Sequence, residues 1–443
     1  METPSVGRRA LLGTGLALGA GVVLSGCKDN DDNDINNNNK AAAAEFDPEN
    51  WDSVRAQFPL DPAYAQFGAF MLAAHPKPVR DAIERHRAGL DRDTAAYLEK
   101  GVDFEEATRD AAAAYIGGKA DDIALTDSTT MGMGLLCGGF KMKPGQSVLT
   151  TEHDFFGTRD AVQKLSERTG AQVRRATLYD DPSKADADQI VSRLKAQLQP
   201  RTRLVVVTWV HSSTGVRLPI KAIADMLATA NRGRAAEDRA LLFVDGVHGF
   251  GAVDETPDQL GCDFLVSGCH KWLLGPRGTG LVWGSERGWA RFVATIPTFA
   301  VESFRAWFGV GTEPPPAGPA ATPGGYHSFE HRWALADAFD LHDRIGRDRV
   351  AARTRDLATR LKDGLAGIDG VTLVTPRAAD LSAGVVCCQL PGVDPGEAVT
   401  RLRQAKVVAS ATPYRTSYLR FGATIANDEE QVDAAVRAVR ALL

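Results

Sequence analysis

The chain has 443 residues, 44% apolar and 24% charged, with a formal net charge of −5 and a pI near 6.0. That length supports one large core and a smaller one, so two structural domains are expected. No Lys/Arg stripe with interleaved aromatics occurs, and the acidic balance argues against nucleic acid as a partner.

The first 27 residues read as a targeting segment. Arg8 and Arg9 form a basic pair, Ala10 to Gly26 is a weakly apolar run, and Leu24-Ser25-Gly26-Cys27 closes it with small residues before a cysteine. The run falls short of the roughly 20 apolar residues of a comfortable membrane span, which favours a signal peptide over an uncleaved anchor helix. The twin arginine resembles a Tat signal, and LSGC resembles the lipobox of bacterial lipoproteins. Together they imply an exported, periplasmic chain whose contact with a membrane is a lipidated Cys27. Residues 28–45 are polar and low in complexity, and read as a disordered tether.

Residues 46–330 carry an N-terminal arm and then, from about residue 105, alternating β-like and helix-like stretches. SVLTTEH (147–153), VRRATLY (173–179), LVVVTWV (204–210), ALLFVDGVH (240–248), DFLVSG (263–268) and TGLVWG (279–284) read as strands. TRDAVQKLSERTG (158–170), ADQIVSRLKAQLQ (187–199) and PIKAIADMLATANRG (219–233) read as amphipathic helices between them. The alternation predicts an α/β domain with a mostly parallel sheet covered on both faces, whose ligands gather at the carboxyl ends of the strands. GTEPPPAGPAATPGG (311–325) is a Pro/Gly-rich break that excludes helix or strand interior. Residues 331–443 then predict a smaller α+β domain: a long helical stretch (333–368), short strands in VTLVT, GVVCCQL, VVASA and YLRFG, and a final helix over 428–442.

Five cysteines follow Cys27, at 137, 262, 269, 387 and 388. Their spacing matches no disulfide framework or metal motif, and they read as buried apolar residues.

Three features carry chemistry. Lys271 follows the strand-like run 263–267 and precedes a glycine-rich turn, GPRGTG. Burial there lowers an amine's pKa and makes it available to a carbonyl as a Schiff base. The bland alternative is a lysine that snorkels to solvent. Asp245 ends another apolar strand, 26 residues earlier; a buried carboxylate needs a partner, and a pyridinium nitrogen is one. Its bland alternative is an N-cap or turn aspartate. Ser128, Thr129 and Thr130 precede a helix start, where hydroxyls and free N–H groups bind phosphate or simply cap the helix.

Taken in order, the aspartate strand DGVHGFG, the lysine segment CHKWLLGPRGTG and the C-terminal YLRFGATIANDEEQVD resemble the class V aminotransferases. These are fold-type I enzymes dependent on pyridoxal 5′-phosphate (PLP), and CHKWLL leans toward the isopenicillin N epimerase-like branch. The resemblance implies a large domain with a mostly parallel, seven-stranded type of sheet, a smaller C-terminal domain and a homodimer. It implies that Lys271 carries the cofactor and shuttles the α-proton, and that Asp245 pairs with the ring nitrogen. His248 would lie near the ring hydroxyl; Ser128, Thr129, Thr130 and His270 would hold the phosphate. His153 matches the histidine that stacks on the ring and counts, with Lys271, among the catalytic residues. Its bland alternative is a satisfied strand-end histidine. Arg420 matches the arginine that binds the substrate carboxylate, against the alternative of a strand arginine in a surface ion pair. His327, in GGYHSFEHRW, falls where these enzymes reach into the neighbouring subunit's pocket, although a polar loop packed on its own domain fits equally.

Two departures bear on the activity. Ser212 stands where desulfurases commonly carry an asparagine near the ring. From Gln389 to Leu443 there is no cysteine, which disfavours a cysteine desulfurase. The expected function is therefore a PLP-dependent enzyme acting at the α-carbon of an amino acid or peptide amine by transamination or epimerisation. A PLP-dependent C–S or β-elimination lyase is the alternative from the same class. A lipoprotein solute-binding protein is the alternative from another, and it has no use for Asp245 and Lys271 at two strand ends.

Overall fold

The computed structural model describes residues 46–443. The readings placed on the first 45 residues, namely the signal segment, the tether and a lipidated Cys27, lie outside the described residues. Among the described residues thirteen strands occur in chain order: β1 (Ala65–Gln66), β2 (Ile123–Thr126), β3 (Ser147–Thr151), β4 (Gln172–Ala176), β5 (Thr202–Thr208), β6 (Leu241–Asp245), β7 (Phe264–Gly268), β8 (Gly280–Gly284), β9 (Thr372–Leu373), β10 (Val385–Gln389), β11 (Val407–Val408), β12 (Ser410–Ala411) and β13 (Leu419–Gly422).

Seven of them form the central sheet, in the order β2-β8-β7-β6-β5-β3-β4, and all run parallel except β8. The expected mostly parallel sheet is there. Side chains alternate between its faces: Val148, Leu204, Val206 and Phe243 point into one core, while Leu149, Val205, Val207 and Val244 point into the other. Both faces are covered, which is why these strands read as continuous apolar runs. The helices Phe156–Thr169, Ala187–Gln197 and Ile220–Ala230 lie close to the predicted spans. β2 carries a short apolar run that the sequence pattern had not separated from the phosphate-site letters after it.

Four short strands form an antiparallel sheet in the order β12-β13-β10-β9, and β1 pairs in parallel with β11. The expected strand VVASA is thus divided: β11 serves one sheet and β12 the other. Helices Arg347–Ala366, Pro395–Gln404 and Glu429–Arg440 cover this unit through Leu361, Leu365, Leu402, Val432 and Val439.

Two expectations need correction. The helical stretch 333–368 is interrupted at Gly346, whose φ of 94° no helix contains and few other residues adopt, so Leu335–Ile345 and Arg347–Ala366 are separate helices. The Pro/Gly-rich break also contains a one-turn helix, Ala317–Ala321. Pro319 sits in its first turn, where the missing N–H has no intrahelical partner to lose. Among the described residues no helix is long and apolar enough to cross a membrane.

Candidate active site

The carboxyl ends of β3 to β7 and the strand β13 bring the site together. Lys271 lies three residues past β7, with its Nζ 3.5 Å from His248 Nε2. Burial, opposed by the charge of Asp245 and aided by Arg420, lowers its amine to about 8. Asp245 closes β6 and is 2% exposed. Its carboxylate accepts from Thr158 Oγ1 at 2.7 Å and from the Val247 N–H at 3.2 Å, and burial holds its pKa above the ordinary value. His248 is also buried, and its Nδ1 accepts from Trp272 Nε1–H at 3.1 Å.

The buried lysine has a cost that pH reveals. Its pKa is 10.5 ordinarily and about 8 here, so between those values the unfolded chain binds more protons and stability rises with pH. The penalty is complete below the lower value and absent above the upper one. Cofactor-free Lys271→Met is therefore expected to melt higher than wild type at pH 7, with the gap closing toward pH 10.5. Thermal melts at both pH values check it, and an equal gap at both would show that the lysine carries no such penalty.

Beside the lysine, the helix Thr129–Gly139 begins with Ser128 as its N-cap, the Ser128 hydroxyl accepting from the Met131 N–H at 3.1 Å. Thr129 Oγ1 accepts from the Gly268 N–H at 2.7 Å, and Thr130 is exposed at the helix start. A side chain at position 268 would meet the His270 ring at 2.7 Å, so glycine is what lets β7 approach the histidine and the helix end. His270 Nδ1 is buried without a protein partner. An unpaired ring nitrogen next to an open helix N-terminus suits an anion, and a phosphate fits both.

On the other side, His153 follows β3. Its Nε2 accepts from the Leu178 N–H at 3.0 Å, and its ring lies on Tyr179 with centroids 3.9 Å apart. Burial foremost, then His211, lowers its pKa to about 3, so the ring is neutral. The next residue, Asp154, takes hydrogen bonds from Thr150 Oγ1, from Thr151 through both N–H and Oγ1, and from the Thr208 N–H, which ties the ends of β3 and β5 together under His153.

Ser212 Oγ lies 2.6 Å from the hydroxyl of Tyr414, and Arg420, on β13, donates to the Ser212 carbonyl at 2.9 Å and to Ser410 Oγ at 3.1 Å. The guanidinium stacks on Phe70 at 4.8 Å. Arg420 is 5% exposed, yet among the described residues it makes no ion pair. A buried cation without a carboxylate suits a ligand that brings one.

His327 lies elsewhere. It contacts the Gly325 carbonyl and Glu105, and lines a cavity of about 560 Å³ with Phe299, Tyr326 and Trp333. Within this chain it touches none of the residues around Lys271. Thr158, Tyr179, Trp272 and Tyr414 are members of the site to which the sequence reading gave no role; Trp272 stands within the lysine motif, and no motif marks the other three. The five cysteines at 137, 262, 269, 387 and 388 are all buried, as expected.

The family Aminotransferase class-V matches residues 79–435. Isopenicillin N epimerase of Streptomyces clavuligerus is 27% identical over 407 residues, covering 88% of this chain and 98% of that protein. A probable cysteine desulfurase of Pyrococcus abyssi is 25% identical, covering 81% of this chain and 86% of its own. Among solved structures, a mutant of the cystine C–S lyase C-DES, with glycine covalently linked to its PLP cofactor, superposes with a TM-score of 0.78 at 20% identity, covering 87% of this chain and 98% of that one. The fold is that of the fold-type I PLP enzymes. The matched span contains Lys271, Asp245, the open helix end at Ser128 and Arg420, and the chain belongs to the class V aminotransferase family of PLP-dependent enzymes.

Proposed function

We propose that the chain acts at the α-carbon of an amino acid or peptide amine, by transamination or epimerisation. PLP, when bound, supplies a protonated pyridine ring that accepts electron density from that carbon. Lys271 attaches it and moves the α-proton, for which an amine lowered to about 8 is well matched. Asp245 keeps a charge beside the ring nitrogen. Ser128, Thr129, Thr130 and His270 would hold the phosphate, His248 would lie near the ring hydroxyl, Ser212 beside the ring, and His153 against its plane. Arg420 takes the substrate carboxylate, and this buried, unpaired guanidinium is the observation that carries the substrate class. Transamination and epimerisation both begin with the proton transfer these groups arrange.

A desulfurase needs a cysteine nucleophile that can reach the substrate. All five described cysteines are buried, and burial raises the thiols of Cys137 and Cys387 to about 12. A C–S lyase reaction that uses no protein thiol remains the second reading, and it employs the same Lys271. Association into a homodimer belongs to the same proposal. The exposed side chains of Val293, Ile296, Phe299, Trp307, Phe308 and Val310 offer it an apolar stretch, and His327 would serve a neighbouring subunit.

The test is a panel of amino acids and peptide amines offered to PLP-loaded protein, with products identified by mass and chirality. A keto product indicates transamination, an antipode epimerisation, and loss of a β-substituent the lyase. Protein that shows no visible cofactor band after PLP is added, and no reaction with any donor, would sink the proposal.

A further inference from the structure

We propose that His153 and His248 are locked as neutral hydrogen-bond donors by Leu178 and Trp272. The chemistry rests on the PLP reading above; the lock is a property of the chain itself.

A neutral imidazole has two nitrogens and one proton. A nitrogen that accepts from a group able only to donate therefore carries no hydrogen. Trp272 Nε1–H is such a donor, and it reaches His248 Nδ1 at 3.1 Å. The indole is buried and lies against Phe70 with ring centroids 6.1 Å apart, so it has little freedom to turn away. The proton of His248 then sits on Nε2, the atom 3.5 Å from Lys271 Nζ. An ammonium has no lone pair to meet it, so His248 donates to the lysine only once the amine is neutral, above about 8.

His153 is locked the other way. The Leu178 N–H occupies Nε2 at 3.0 Å, which leaves the proton on Nδ1. Tyr179 lies flat on one face of the ring, at 3.9 Å and 20°, and its hydroxyl is tied to His211 Nδ1 at 2.8 Å and Thr214 Oγ1 at 3.0 Å. Tyr179 is thus a positioning residue. His153 keeps one N–H, with no lone pair free for a proton. Tyr414, the nearby phenol, is raised to about 12 by burial and keeps its own proton at neutral pH.

Neither ring, so held, has a lone pair with which to take a proton from the α-carbon.

Nitrogen-15 spectra of histidine-labelled protein without cofactor read each tautomer from the couplings of the ring nitrogens, with His153→Gln and His248→Gln assigning the two rings. The expected result is Nδ1–H for His153 and Nε2–H for His248, with neither ring titrating between about pH 5.5 and 8.5, where a free imidazole crosses its midpoint. Trp272→Phe should release His248 into a tautomer mixture, while Tyr179→Phe, which keeps the stack, should leave His153 unchanged. The opposite tautomer at either ring in wild type, or a midpoint inside that range, overturns the lock.

Discussion

Lys271→Ala is expected to slow α-proton removal by about 10⁴-fold, the upper range for loss of a positioned general base. The geometry provides no substitute: His248, its nearest nitrogen neighbour at 3.5 Å, has its other nitrogen occupied by Trp272. Alanine also removes the point of covalent attachment, so borohydride should fix PLP to wild type and not to the variant. Exchange of the α-proton of L-alanine in deuterium oxide, with mass spectrometry of the reduced protein, measures both effects. A small primary amine added to the variant should restore part of the exchange, because the cavity left by the side chain keeps its surroundings. A variant that exchanges within about tenfold of wild type would remove Lys271 from its assigned role.

Asp245→Asn is expected to lower the same exchange by about 10³-fold, the scale of losing one preorganised electrostatic group. Asparagine keeps the size and an acceptor for Thr158 or Val247, so the fold and the binding of PLP should change little. What is lost is the charge. Asp245 is 2% exposed and raised by burial, which means that an ionised carboxylate there needs a cationic neighbour, and a protonated ring nitrogen is one. Cofactor titration followed by exchange at saturation separates binding from proton transfer. Exchange preserved at saturation would mean that Asp245 serves the strand end and not the ring.

Lys271 and Asp245 were legible in the sequence because each closes an apolar run, and the end of a run of period 2 or of continuous burial marks a strand terminus in one dimension. Ser128 was legible for a similar local reason, since an N-cap announces itself by its letters. The residues that orient these groups were not. Tyr179 reaches His153 across 26 positions and Tyr414 reaches Ser212 across 202, so their contacts exist only once strands from different parts of the chain lie side by side. Trp272 stood in the quoted lysine motif, but its partner His248 lies on the turn after another strand. The break at Gly346 was hidden in a helical pattern because apolar periodicity continues on both sides of it, and a single positive φ leaves that pattern intact. His327 was placed by resemblance alone, and within one chain it stays in its own cavity.

The pairing of β1 with β11 has a consequence for synthesis on the ribosome. Ala65 and Gln66 sit about 340 residues ahead of their partners Val407 and Val408, and the Phe67 carbonyl that follows accepts from the Gly422 N–H at 2.9 Å. At about 5 to 20 residues per second, the emerging N-terminal arm waits roughly 20 to 70 s for that partner to be translated. Through that interval Phe67 and Phe70, both 0% exposed in the finished fold, have no β11 or β13 to cover them. The ring beneath Arg420 is thus among the first parts of the site to be made and among the last to be seated.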